Sequence, residues 1–461
     1  MKLQACRQVF GVIFLLLFFL PVAAEETASD ESEALRQHIE HLEQELEKAR
    51  GKLAEMESQK EGGAQPVALE EPAEPEQRPV RIGGALGIHY AYGDYEHDGS
   101  FARRNEDLGD VDLDIFRLNA DIESGNLIGR IEYRWYDNYS MMHTAWLGYE
   151  MERYGTLKAG IVRVPFGPGP YGVSASWFFD QHYYIGLSDD MDLGIRWTKS
   201  FGDLAVDLAY YIEDEGEWDG SSRDSSRYSY DPVTWDEQVD SMGNVTFGAG
   251  ESGFEEDGQL NLRMIYATES FGKLGASFQY GWLKGKNVDD SGADHFAASV
   301  HAENSFGDFK LFSQVSYYKY DITDDTPWGT GDLIPMGAFN FAWPVASEGW
   351  VPAVSLRYHG IDTSGISWLE SVTPYLEWSA ILKDRSDFND STLWTLGALW
   401  YWGNLYIYTD LGISDGNFYV GDKGDSYGNL YDGVGDFGAN GNDRWKKRFN
   451  INARYYFSLF N

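Results

Sequence analysis

Cysteine is almost missing from this chain. The single one, Cys6, precedes an apolar leader run and is not at a lipoprotein-type cleavage site, so the exported chain carries no thiol. Disulfides and thiolate chemistry are excluded, and stability must come from packing and backbone pairing. Basic residues are scarce: 36 Lys+Arg stand against 74 Asp+Glu, a formal charge of −38. That balance excludes nucleic acid as a partner, because a polyanion needs a basic surface, and it excludes charge-driven docking on anionic lipid. Long apolar runs are scarce too. Val9–Leu20 is the only one, and it is too short and too soon followed by acids to serve as a spanning helix. Lys2 and Arg7 precede it, and Val22-Ala23-Ala24 ends before Glu25, so residues 1–24 read as a secretory signal. Catalytic signatures are missing as well. Gly172-Val173-Ser174-Ala175-Ser176 lacks the closing glycine of a nucleophile elbow, and there is no zinc-binding helix motif or phosphate loop. The expectation is no enzyme and no cofactor.

What is present changes character twice. In residues 25–61 the apolar positions are Leu35, Ile39, Leu42, Leu46, Ala49, Leu53 and Met56, alternately four and three apart. This narrow heptad seam, with charge on nearly every other position, predicts a short oligomeric coiled coil in the periplasm. A solitary amphipathic helix is the alternative. Gly62-Gly63 ends it, and a Pro/Glu-rich linker occupies residues 62–79.

From Val80 the period becomes two. Ile131, Tyr133 and Trp135 alternate with Arg130, Glu132 and Arg134. Leu260, Leu262, Met264 and Tyr266 alternate with polar residues that include Arg263, and Val354, Leu356 and Tyr358 stand opposite Ser355, Arg357 and His359. Arginines on one face and aromatics at the ends of the other are the pattern of a transmembrane barrel, apolar side outward. Near-identical tight turns recur: Phe201-Gly202-Asp203, Phe271-Gly272-Lys273, Phe306-Gly307-Asp308 and Trp402-Gly403-Asn404. Long polar loops separate them, at 93–110, 167–190, 213–258, 321–350 and 415–447. Assigning the tight turns to one end makes the chain up to Trp402 and beyond count to sixteen antiparallel strands over residues 80–461. This requires Pro335–Trp343 to belong to an outer loop; as a strand it would lead to eighteen. A barrel of this width encloses water.

The strand Leu157–Val164 ends in Pro165-Phe166-Gly167-Pro168-Gly169-Pro170. Prolines cannot continue a ladder. The aromatic segment Trp177–Tyr184 is too apolar to float in water, so the loop of about 167–190 is expected to fold into the lumen and narrow it. Pro165, Phe166, Gly167, Trp177, Asp180, Tyr183 and Tyr184 are its marker residues. The aromatic segment either offers a sliding surface for solutes or packs against the wall.

With apolar side chains facing lipid, Arg130, Arg134, Arg196, Arg263, Arg357 and Arg454 face the lumen. Such forks lower the barrier for anions. The competing expectation is that each pairs with an acid such as Glu132, Glu377 or Asp192 and only stiffens the wall. For Arg163 and Arg196, which frame the loop, the candidate partners are Asp180, Asp189, Asp190 and Asp192. Asp110-x-Asp112-x-Asp114 has calcium-like spacing but lacks the glycine and distal glutamate of a calcium loop, and strand alternation explains it; no metal is expected there. The acidic loop at 213–258 is read as a solvated face, with divalent bridging to lipopolysaccharide as the alternative.

Gly160-Ile161-Val162-Arg163-Val164-Pro165-Phe166-Gly167 resembles the G-x-[aromatic/aliphatic]-[basic]-x-P-F-G motif of the phosphate-selective porin O/P-like family. Ile115-Phe116-Arg117-Leu118-Asn119-Ala120 resembles its arginine-bearing second strand, and Asp192-Leu193-Gly194-Ile195 the strand after its constriction loop. The helical extension is similar to that of the related dicarboxylate-selective porins. The resemblance covers about 111–199. It implies a homotrimer of sixteen-stranded barrels with an infolded third loop, and it adds Arg117 and Arg163 to the lumen set. The acid excess departs from the phosphate-selective members, so phosphate specificity does not carry over. The final Phe460-Asn461 departs from the aromatic terminus usual for such barrels. The functional expectation is a bacterial outer-membrane porin for small hydrophilic solutes, anion-preferring, in contact with lipid and lipopolysaccharide. An envelope tether with the barrel as its anchor is the alternative.

Overall fold

The computed structural model describes residues 79–93, 109–136, 139–216, 227–239, 245–289, 292–339, 341–417, 419–420, 438–439 and 445–459. The expected signal peptide, coiled coil and nearly all of the linker lie outside them, as does Phe460-Asn461.

Sixteen strands form one closed antiparallel sheet: β1 Val80–Gly93, β2 Asp110–Ser124, β3 Leu127–Trp135, β4 Ser140–Met151, β5 Gly155–Arg163, β6 Met191–Phe201, β7 Leu204–Asp214, β8 Val245–Thr268, β9 Gly272–Lys286, β10 Asp294–Phe306, β11 Phe309–Asp321, β12 Glu348–Tyr358, β13 Ser371–Lys383, β14 Ser391–Trp402, β15 Leu405–Asp415 and β16 Lys446–Ser458. Each pairs with its sequence neighbours, and β1 closes the ring on β16 with Ala85 opposite Tyr456. Closure leaves no edge, so every wall amide can find a partner without water.

The two faces are inverted relative to a water-soluble protein. On β7, Leu208 is 47% exposed while its neighbour Asp207 is 3% exposed. On β8, Leu260 is exposed and Asn261 buried. Such an outer surface is stable only against hydrocarbon. Aromatics ring both ends of this apolar face. Phe306–Phe309 and Trp368–Trp402 contact each other at the short-turn end, and Tyr317–Trp350 and Trp378–Trp394 at the other. Rings with one apolar and one polar side settle at such interfaces. Among the described residues no helix is long and apolar enough to cross a membrane; the strands do so.

Three of the four repeated glycine turns work as the sequence implies, and Gly125 turns in the same way; at Phe271-Gly272-Lys273 the turn falls on residues 269–271 and Gly272 opens β9 with φ 96°. Gly125, Gly202, Gly307 and Gly403 all have φ between 55° and 60°, a left-handed turn position that glycine takes without a Cβ clash. The connection at 359–370 is the exception at that end, a longer segment that folds back to put Trp368 on Trp402.

Pro335–Trp343 stays out of the wall. It belongs to a hairpin, Leu333–Ala338 with Phe341–Ala346, which joins Asp231–Pro232 in a separate three-stranded sheet. The barrel therefore has sixteen strands, not eighteen. Two expectations need correction. The loop at 213–258 is not irregular throughout: β8 extends outward for 24 residues, and its outer part pairs with Trp235–Val239. The infolded loop starts three residues earlier than expected, directly after Arg163.

Candidate constriction site

The loop between β5 and β6, residues 164–190, crosses the lumen. Its two ends are clipped together where the Val164 N–H donates to the Asp190 carbonyl, at 2.9 Å. Gly167 then meets the far wall: its N–H donates to Ser277 Oγ on β9, at 3.0 Å. Gly167 has φ 67°, and a Cβ there would lie 2.8 Å from the Gln314 side chain on β11. The position needs glycine for both backbone and space.

Further along, the loop supplies the partners that the opposite wall's acids require. The Ser174 hydroxyl and the Ala175 N–H each donate to Glu377 on β13, both at 2.6 Å. The Trp177 N–H donates to Asp410 on β15 at 3.0 Å. The Trp177 ring stacks on His89 of β1, and the Arg448 guanidinium of β16 lies 5.1 Å from the Trp177 ring centre. On the return, the Gln181 N–H donates to Ser379 Oγ, and His182 Nε2 lies 2.8 Å from Ser316 Oγ. Asp180 organises the bend, accepting from the Val173 and His182 N–H groups. It takes no arginine.

The aromatic segment is packed, not a sliding surface. Phe178 sits against Leu393 and Val420, while Phe166, Tyr183 and Tyr184 join a cluster with Tyr230, Ile334, Met336 and Trp343 of the outer loops. Burying these rings together anchors the loop more firmly than its polar contacts do. What the loop offers to water is its near side. Pro170 is exposed and Tyr171 is 45% exposed, with the Arg163 guanidinium 5.6 Å from the Tyr171 ring. Pro165 is buried at the loop entry.

The predicted arginines separate into two groups. Across β2 to β8, six arginines share four carboxylates. Glu132 takes Arg117 at 3.2 Å, Arg130 at 2.7 Å and Arg134 at 2.7 Å. Arg130 also reaches Asp121 at 2.6 Å. Arg163 pairs with Asp189 at 2.7 Å. Asp207 takes both Arg196 at 2.7 Å and Arg263 at 2.8 Å. The network is thus formally positive by two. Lys158 on β5 adds another cation, resting 3.9 Å from the Trp146 ring centre. Arg130 and Arg163 stay about a third exposed, and Arg117, Arg196 and Arg263 are half-buried, so solvent reaches the network.

The second group is more committed. Arg454 pairs with Asp114 at 3.0 Å, which also gives the Asp110-x-Asp112-x-Asp114 run a structural role. Arg357 donates to the Val173 carbonyl and lies 4.1 Å from the Phe312 ring. Both tie wall to wall or wall to loop. Of the acids expected to neutralise arginines, Glu132 and Asp189 do so. Glu377 instead accepts from Ser174, Ala175 and Ser355, and Asp192 accepts from Gln259 at 3.2 Å. Pairing was missed at Asp121 and Asp207. Their alternation with apolar neighbours already placed them on the lumen face. Lys158 and Tyr171 were missed too: Lys158 lies between outward-facing Leu157 and Ala159, and Tyr171 carries no pattern that marks it.

No family model and no curated protein matches the chain. Among solved structures it is similar to the outer-membrane channel DcaP of Acinetobacter baumannii, at 13% identity and a TM-score of 0.51, over 82% of this chain and 97% of that one. It also resembles OmpT of Vibrio cholerae, at 14% identity, a TM-score of 0.47 and coverage of 82% and 97%. A third is OmpF of Salmonella typhi in complex with daunomycin, at 12% identity, a TM-score of 0.46 and the same two coverages. At this identity the first likeness establishes a shared barrel fold, and the other two add nothing to it.

Proposed function

We propose that the protein is a homotrimeric porin of the bacterial outer membrane, passing small hydrophilic solutes by passive diffusion with a preference for anions. The observation that carries this reading is the unequal sharing of charge on β2–β8. Six arginines held by four carboxylates, with Lys158 beside them, leave a positive wall facing the water side of the infolded loop. In a narrow, partly desolvated passage such an excess lowers the barrier for a carboxylate and raises it for a cation. Arginine forks suit organic acids as solutes, because a planar carboxylate can accept two hydrogen bonds at once. The acidic outer loops face solvent and lipopolysaccharide and oppose this preference at the entrance.

The test is conductance in planar bilayers under a salt gradient. Defined single-channel steps and a reversal potential of the anion sign are expected. A potential of the cation sign removes the selectivity claim, and absence of steps removes the channel claim.

A second reading, an envelope tether with a closed barrel as anchor, draws on one observation. The sheet formed by Leu333–Ala338, Phe341–Ala346 and Asp231–Pro232 is buried against the infolded loop. Deleting residues 25–77 separates the readings: the porin keeps its conductance, whereas a tether loses its envelope phenotype with no conductance to lose.

A further inference from the structure

Asp190, Asp192 and Asp231 come together where the infolded loop re-enters the wall. One carboxylate oxygen of each lies within 4.8 Å of the others. The residues are 5%, 0% and 2% exposed. Each carries a buried oxygen with no hydrogen-bond partner among the described residues: Asp190 Oδ1, Asp192 Oδ1 and Asp231 Oδ2. Buried carboxylate oxygens are almost always paired, because leaving one bare forfeits its hydration. Among the described residues one cation stands near. Arg227 is 3.6 Å from Asp231 Oδ2, beyond hydrogen-bond reach, and its guanidinium is already engaged by Asp214. Glu215 and Glu256 add further negative charge to the same neighbourhood. Burial and these like charges push the Asp190 and Asp231 carboxyls well above the ordinary carboxylate range.

We propose that Asp190, Asp192 and Asp231 form a divalent-cation site, selective for calcium, that staples the constriction loop to the outer sheet. Oxygens bound to one calcium ion at about 2.4 Å lie at most about 4.8 Å apart, and the three oxygens here all lie within that limit. Calcium suits the site better than magnesium, since it tolerates irregular all-oxygen coordination without keeping its water shell. The three ligands come from two pieces of chain, the loop-to-strand junction 190–192 and the outer sheet. Asp190 closes the infolded loop, Asp192 starts β6, and Asp231 belongs to the outer three-stranded sheet, paired with Gly337. Nearby hydrogen bonds fix these pieces: the Met191 N–H donates to Ser229 Oγ, and the Gln259 amide donates to Asp192 Oδ2. An ion there would hold loop and outer sheet as one body.

The experiment uses the full chain in detergent, stripped with EGTA and titrated with calcium chloride or magnesium chloride, read by calorimetry and thermal unfolding. Saturable calcium binding with a Tm rise of about 5 °C is expected, with magnesium at least tenfold weaker. Asp231→Asn and Asp192→Asn each remove the calcium response. Neither lowers the Tm in EGTA, because each removes a like charge. No calcium binding by the wild-type chain overturns the proposal, whatever the variants do. So does a calcium-induced Tm rise that survives in Asp231→Asn, since the ion then binds elsewhere. None of these readouts depends on conduction.

Discussion

At the scale of single residues, Glu132 is the most connected acid of the lumen. It is buried on β3 and holds three arginines from two strands. Glu132→Gln leaves the guanidinium groups of Arg117, Arg130 and Arg134 with Asp121 alone. Breaking a buried pair by removing one partner destabilises by about 3–5 kcal/mol. Arg117 and Arg130 keep solvent contact, so about 2 kcal/mol is expected here. The Tm in detergent should fall by several degrees while the reversal potential shifts further toward anions. A fall in Tm with no shift in potential would make Glu132 purely structural. Arg130, Arg134, Arg196 and Arg263 of this network were legible from alternation, whereas Arg117 and Arg163 rested on the resemblance; Val162 and Val164 on either side of Arg163 are both buried. The partners of these arginines were not legible. Arg263 finds Asp207 across 56 positions of sequence, and only strand register sets that contact. A one-residue slip would turn either side chain to lipid.

At the scale of elements, the infolded loop is held by contacts with walls far from it in sequence. Its prolines and aromatics announced that it leaves the ladder and avoids water. Its route depended on where Ser277, Glu377, Asp410 and His89 happened to face. The same dependence decided the aromatic segment, which meets Val420 and Leu393 and therefore packs. Gly167 is the tightest point of that route. Gly167→Val meets the Gln314 side chain and forces a β-branched residue into left-handed backbone, which costs about 1–3 kcal/mol. The loop should detach from β9 and β11. Single-channel conductance is expected to rise about twofold, with broader current noise and an unchanged strand signal in circular dichroism. Unchanged conductance would mean that the loop does not set the narrowest cross-section.

At the scale of the whole molecule, the outer sheet packs over the infolded loop. Replacing residues 333–346 by a short Gly/Ser link removes Ile334, Met336, Trp343 and Val345 from the cluster that covers the infolded loop. Conductance should increase while the barrel keeps its heat-modifiable migration on gels; a barrel that conducts no better would place the barrier at the loop alone. The sequence by itself determined the class of solvent and the end at which the strands turn, and it narrowed the strand count to sixteen or eighteen, which the separate hairpin at 333–346 decided. Those properties are local: period-two alternation says which face meets hydrocarbon, and each glycine turn needs only its own two neighbours. The tertiary structure alone decided which charges remain unbalanced. Asp189 reaches Arg163, Asp207 is divided between two arginines, and Asp190, Asp192 and Asp231 converge without an arginine in hydrogen-bond contact. Net charge counts acids over the whole chain, but a passing ion responds to those within a Debye length or less, and closing the barrel is what brings them there.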